Sequence, residues 1–305
     1  MLAHVLRRLW STVTVAVGVA AVIFVLLHLS GDPVALMVPA DAPPQVMEDT
    51  RRALGLDRPL PEQFISYLWR AATGELGTSL RHNRPVAQLI GERLPRTMLL
   101  ATAALVLAVA LAIPAGVVSA LRRGTMVDRV IMVLSVAGQA VPIFWLALML
   151  IWLFAVRLEW LPVFGSGTLA HLVLPAVSLS TIVLGRLARL VRSSMLEVLE
   201  QDYVRTARAK GLAEAHVVLR HALKNAAIPI VTVVGLQFAQ LLGGAVVTET
   251  VFAWPGVGAL AAEAVFTRDF PVVQGVTLVI SLIFVGANLA VDLSYVALNP
   301  RIRLG

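Results

Sequence analysis

The sequence predicts an all-α integral membrane protein with six transmembrane helices. Three observations carry that prediction: an unusually low charge content, six long stretches without a charged residue, and basic residues gathered into alternate loops. The chain has 305 residues, of which 58% are hydrophobic and 14% charged, with a mean hydropathy of +0.84. A soluble domain carries about 25% charged residues, so an ordinary globular enzyme and a disordered chain are both excluded. There is no cysteine, which removes disulfides, thiolate nucleophiles and Cys-ligated metal from consideration.

The uncharged stretches run from Leu9 to Gly31, Thr97 to Leu121, Val130 to Val156, Trp160 to Gly185, Asn225 to Thr248 and Phe270 to Val291. Each is long enough to cross a hydrocarbon core, for which about 20 apolar residues suffice. The first is too long for the core of a cleaved signal, and the nearest A-x-A, Ala40 to Ala42, stands well beyond it. It reads as a retained anchor. Pro114, Pro142 and Pro175 fall inside spans and mark kinks whose freed carbonyls need neighbouring partners.

Orientation follows from the loops. Residues 1–8, 122–129, 186–224 and 292–305 hold 15 basic against 5 acidic residues when the boundary residue Asp292 is set aside; the other loops hold 10 against 12. Basic excess in short loops marks the cytoplasmic side, so both termini are expected inside. The net charge of +7 is then topology and headgroup attraction, and nucleic acid is not a partner.

Two loops exceed mere connection. Between Asp32 and Arg96, Leu60, Phe64, Leu68 and Ala71 recur at helical spacing after Pro61, and Val86, Leu89, Ile90 and Leu94 form a second amphipathic piece ending at Pro95. These fit helices lying on the outer face or capping the bundle, and equally a docking surface for an outside partner. The second loop follows Arg186, Arg189 and Arg192, which share one broad helix side. Here Asp202-Tyr203-Val204-Arg205-Thr206-Ala207-Arg208-Ala209-Lys210-Gly211 reads as a short helix closed by a glycine suited to a left-handed cap. A second helix is expected from Ala213 to about Ala227, with Pro229 near the start of the fifth span. Small residues at Ala207 and Ala209 suit close approach to a groove on another protein; a solvated basic loop against lipid headgroups fits the residue types as well.

This segment resembles the coupling loop of permease subunits of ATP-binding-cassette (ABC) importers, Glu-Ala-Ala, three residues, Gly, nine residues, Ile-x-Leu-Pro. Ala207, Gly211 and Leu223 match; Arg205 and Thr206 stand for Glu-Ala, His221 for Ile and Lys224 for Pro. Those departures are the wording of the oligopeptide/dipeptide (peptide/nickel) branch, as is Arg220-His221-Ala222-Leu223-Lys224-Asn225-Ala226-Ala227-Ile228-Pro229. Further segments resemble that branch in order: Gly31-Asp32-Pro33, Leu54 to Pro61, Gly74 to Ser79, Arg93 to Thr97, Glu249 to Gly258 and Arg268 to Gly275.

The resemblance implies the type I ABC importer permease fold, with residues 1–93 as an N-terminal helix and outer loop, 94–298 as the transmembrane core, 193–228 as the coupling loop and 299–305 as a cytoplasmic tail. It implies a bacterial plasma-membrane permease for di- or oligopeptides, the same architecture also serving nickel chelate, haem or glutathione. Implied partners are a homologous permease subunit in a heterodimer, one or two cytoplasmic ATPase chains, an extracytoplasmic solute-binding protein and membrane lipid. ATP and Mg would bind the ATPase partners and no cofactor this chain. Neither lysine, Lys210 or Lys224, is preceded by the glycine that closes a G-x-x-x-x-G-K loop.

The resemblance assigns ATPase coupling to Asp202, Tyr203, Arg205, Thr206, Ala207, Arg208, Ala209 and Gly211. It assigns an outer re-entrant segment to Glu249, Phe252, Trp254, Pro255, Gly256 and Gly258. Gln139, Gln237, Gln240 and Asn288 are polar residues within spans and candidates for lining the pathway or for interhelical hydrogen bonds. Rival readings are weaker. Gly165-Ser166-Gly167 and His171 could be taken for a serine protease pair but fall beside a short loop, and there is no H-E-x-x-H. A secondary transporter would call for inverted repeats, and the halves show no evident similarity.

Overall fold

The computed structural model of the chain describes residues 2–29, 43–53 and 55–298. The expected Gly31-Asp32-Pro33 turn and the tail 299–305 lie outside the described residues. The elements in order are α1 (Leu2–Leu29), α2 (Pro44–Ala53), α3 (Leu60–Ala72), α4 (Val86–Leu121), α5 (Met126–Ala140), α6 (Ile143–Leu150) continuing into a π-helical stretch (Ile151–Arg157), α7 (Leu169–Leu199), α8 (Asp202–Ala209), α9 (Glu214–His216), a second π stretch (Val217–Ala222), α10 (Leu223–Val251), α11 (Val257–Phe266) and α12 (Phe270–Leu298). The described residues contain no strand, only an isolated bridge between Thr78 and Pro85.

Four helices are long and apolar enough to cross a membrane, Val86–Leu121, Leu169–Leu199, Pro229–Val251 and Phe270–Ala290; a bent pair, Met126–Ala140 with Ile143–Arg157, makes a fifth if it counts as one span. The first helix is 28 residues long, with an apolar stretch at Val13–Val25. The expected third span is therefore not one helix: its halves meet at 102°. Val141 and Pro142 are both extended, because a proline ring forces the preceding residue out of the helical region. The fourth span also differs, since residues 160–168 are irregular and the helix starts at Leu169, after Thr168. Nor does Pro95 end the amphipathic piece, for α4 runs unbroken through it for 36 residues. A membrane helix tolerates proline where neighbours satisfy the freed carbonyl. Pro229 opens the Pro229–Val251 span as expected, although the helix itself continues back to Leu223.

The chain divides into two compact units. The first comprises Met1–Pro95 and Gly256–Leu289. Its core is Val86, Leu89 and Ile90 of α4 packed with Val257, Leu260 and Ala264 of α11 and Val272 and Val276 of α12. The amphipathic piece of the long loop thus spends its apolar face inside its own unit. The other piece, α3, meets α1 through Phe64 and Phe24, whose rings lie edge to face at 5.3 Å.

The second unit comprises Arg96–Pro255 and Ala290–Gly305. At its centre stands α7, flanked by α5 and α10, and the packing depends on small residues. A methyl added to Gly185 of α7 would stand 2.1 Å from the Ser135 carbonyl oxygen of α5, and one on Gly116 of α4 would stand 2.7 Å from the Ala188 carbonyl oxygen. Close backbone approach of this kind replaces, between membrane helices, the hydrophobic drive that lipid removes.

Candidate functional site

At one end of the second unit α7 runs on through Leu199, and the chain turns into α8. Glu200 closes α7, and an extended Gln201 opens α8 with Asp202 in its first turn, where a carboxylate is favoured by the helix dipole. Val204 and Ala207, three apart and hence on one face, are buried with Val217 against Val198 and Leu199. The remaining sequence-predicted residues of this segment, Asp202, Tyr203, Arg205, Thr206, Arg208, Ala209 and Gly211, are all exposed. Ala207 is therefore not available to a groove on another protein: at 7% exposure it seats α8 on its own chain. Gly211 ends the segment at φ +76°, the left-handed region in which glycine alone is unstrained.

Two polar braces fix the turn. Arg208 donates to both Glu214 carboxylate oxygens, at 3.1 and 2.6 Å. The Asn225 amide donates to the Tyr203 hydroxyl at 3.0 Å and to the His221 carbonyl at 2.9 Å. The hydrogen bonds from Arg208 hold the Glu214 carboxyl below its ordinary value. A carboxyl with a lowered folded pKa contributes its stabilisation above its unfolded value and loses it as pH falls through the folded one. This brace is thus intact at neutral pH and weakens only in acid.

The three arginines of α7 each find an acceptor. Arg192 forms a two-point pair with Asp128, at 2.7 and 2.8 Å; the same carboxylate accepts from the Ser119 hydroxyl and, at 2.9 Å, from the Gly124 backbone N–H. One carboxylate therefore ties α4, the α4–α5 turn, α5 and α7 together. Sequence reasoning missed it, although Asp128 is the one acid in a short basic loop. Arg189 donates to Gln139 at 2.9 Å and Arg186 to Gln240 at 3.2 Å. Gln139 is half-buried and Gln240 exposed. Gln237 is buried at 4% exposure with its Nε2 unpartnered, so it lines no open surface here. Asn288, half-buried on α12, belongs to the first unit.

At the opposite end of the second unit the chain leaves α10 in a tight corner. Glu249 is fully buried and accepts from the Thr97 hydroxyl at 2.7 Å. The Trp254 indole donates to the Arg96 carbonyl at 3.1 Å, and Phe252 packs with Ala147, Ile151, Ala155 and Leu174. Arg96 and Thr97 are in this way knotted to Glu249 and Trp254. Pro255 is half-buried and Gly256 and Gly258 are buried, leaving Ala253 as the exposed residue between Phe252 and Gly258. The first unit has a comparable knot. Buried Asp269 accepts from the Ser79 hydroxyl at 2.5 Å and the Arg81 backbone at 3.1 Å, joining Gly74 to Ser79 with Arg268 to Gly275. His171, the protease alternative, instead packs its Nδ1 2.9 Å from the Thr168 hydroxyl at the start of α7.

Residues 112–304 match the family described as binding-protein-dependent transport system inner membrane component, and residues 1–101 match its N-terminal companion. A dipeptide transport system permease protein of Alkalihalophilus pseudofirmus is 42% identical, covering 99% of this chain and 100% of that protein. A glutathione transport system permease protein of Escherichia coli is 44% identical over 99% of both. Among solved structures, the MetNI methionine ABC transporter in inward-facing conformations aligns with a TM-score of 0.57 at 17% identity, covering 70% of this chain and 97% of that one. At that identity the likeness shows the fold alone.

Proposed function

The chain belongs to the family of binding-protein-dependent transport system inner membrane components, and we propose that it forms, with a homologous second subunit, the pathway for di- or oligopeptides in an ATP-driven importer. It is a permease subunit and not an enzyme. The observation that carries the mechanism is the exposure of α8 on a braced turn: six of its eight residues are exposed while Val204 and Ala207 anchor it. Partner ATPase chains, which would hold ATP and Mg, grip that helix from the cytoplasm. Their closure pushes α8 as a rigid body, and the Asp128–Arg192 pair passes the push to α4, α5 and α7.

The binding protein delivers substrate at the opposite face. Because Glu249, Phe252 and Trp254 are buried, they shape that face from within and do not themselves touch the binding protein. In this reading both termini are cytoplasmic, as the loop charges imply. Glutathione, itself a small peptide, is the alternative cargo, supported by the Escherichia coli relative.

The test is uptake of labelled dipeptide and glutathione into proteoliposomes holding the permease pair, its ATPases and its binding protein. Uptake should require ATP hydrolysis and the binding protein together. Uptake that persists without hydrolysis would return the protein to the secondary transporters.

A further inference from the structure

Arg186 is the one arginine of the α7 series that is exposed, and because α7 starts at Leu169 and not at Trp160 it stands inside the span, not at the head of the cytoplasmic loop where the sequence placed it. Leu174 of α7 packs beside Phe252 and Val251, which mark one end of the Pro229–Val251 span. Arg186 follows Leu174 by 12 residues, about 18 Å along a helix that rises 1.5 Å per residue. Its partner Gln240 precedes Val251 by 11 residues, about 17 Å. The two estimates agree and put the guanidinium well inside a hydrocarbon core about 30 Å thick. A cation at that depth faces a water-filled cavity or another protein, not lipid tails.

Among the described residues its charge meets no carboxylate. Arg192 has Asp128, whereas among the described residues the side-chain partner of Arg186 is the neutral Gln240 oxygen, at 3.2 Å. A neutral acceptor orients a guanidinium and leaves its other N–H groups to bind. No Asp or Glu occurs within Thr97–Leu121, Val130–Val156, Trp160–Gly185, Asn225–Thr248 or Phe270–Val291. Those spans of this chain therefore bring no carboxylate to this depth, while a peptide brings its own.

We propose that Arg186, oriented by Gln240, is a binding site within the pathway for the terminal carboxylate of the transported peptide. This rests on the peptide-importer reading and goes beyond it by assigning a recognition element to the permease as distinct from the binding protein. A guanidinium suits a carboxylate because its parallel N–H groups match the two oxygens.

The test compares trialanine with its C-terminal amide in proteoliposomes of the full complex, each at a concentration saturating the binding protein, using wild type, Arg186→Gln and Arg186→Lys. Because the binding protein is common to all, the wild-type to variant ratio isolates this residue. Arg186→Gln should lower trialanine uptake about tenfold, leave the amide within about twofold, and spare ATPase stimulation by loaded binding protein; Arg186→Lys, which keeps the charge without the two-point fork, should recover only part of the loss. Equal loss for both peptides, as expected if Arg186 only holds the subunits together, overturns the proposal, and so does no loss for either. Gln240→Leu supplies a second variant that keeps the charge: it should lower trialanine uptake more than amide uptake, and an equal effect on both contradicts the orienting role. A wild-type complex that moves neither peptide overturns the peptide-importer reading, and this site with it.

Discussion

The two ends of the second unit are both rich in distinctive sequence, yet they use it in opposite ways. At the α8 end the polar residues are exposed, and Val204, Ala207 and Val217 with their neighbours, helped by the Arg208–Glu214 and Asn225–Tyr203 braces, hold the segment to the chain. At the Trp254 end the polar residues point inward: Glu249 meets Thr97, the indole meets the Arg96 carbonyl, and Phe252 fills a core. A recognisable motif therefore does not by itself mark a contact surface. One end offers a helix to a partner, while the other fastens two distant stretches of its own chain.

That contrast can be broken by substitution. The largest expected effect is Phe252→Ala, which removes a side chain 2% exposed and should cost about 3–5 kcal/mol, seen as a lowered thermal midpoint of the purified complex and poor recovery from membranes. An unchanged midpoint would mean that the Trp254 end is not a structural knot. Smaller but in the same direction, Thr97→Val deprives the buried Glu249 carboxylate of its hydroxyl donor and should cost about 1–3 kcal/mol. Here too stability should fall before transport by the surviving complex does; a transport defect at unaltered stability would move Glu249 from structure to function.

The helical class, the membrane character and the turn at Gly211 are legible in the sequence because they rest on short-range chemistry: uncharged runs, helical spacing, and a glycine where φ is positive. The angle between α5 and α6 is legible only as a proline at 142, since the direction of a break depends on what each half packs against. Ala207 shows the limit from the other side. A small residue on a short helix suits both a groove on a partner and a seat on one's own chain, and only Val217, ten residues on, decides between them. The knots were hidden for the same reason. Ser79 and Asp269 stand 190 residues apart, each in a segment read correctly by itself, and nothing local says that one hydroxyl will meet one carboxylate. Asp128 was visible as a lone acid among arginines, but its pairing with Arg192 required the antiparallel packing of α5 on α7.

The smallest effect on stability is the most informative. Thr206 is exposed on α8 and, among the described residues, its hydroxyl donates to the Asp202 carbonyl of the same helix, so Thr206→Cys should alter stability by no more than about 0.5 kcal/mol. The chain has no other cysteine, which makes that thiol a unique attachment point for a short cross-linker in the assembled complex, with Ala253→Cys at the exposed corner of the opposite end as control. The account predicts adducts to an ATPase subunit from position 206 and none from position 253; adducts from neither position, or from both alike, would contradict it.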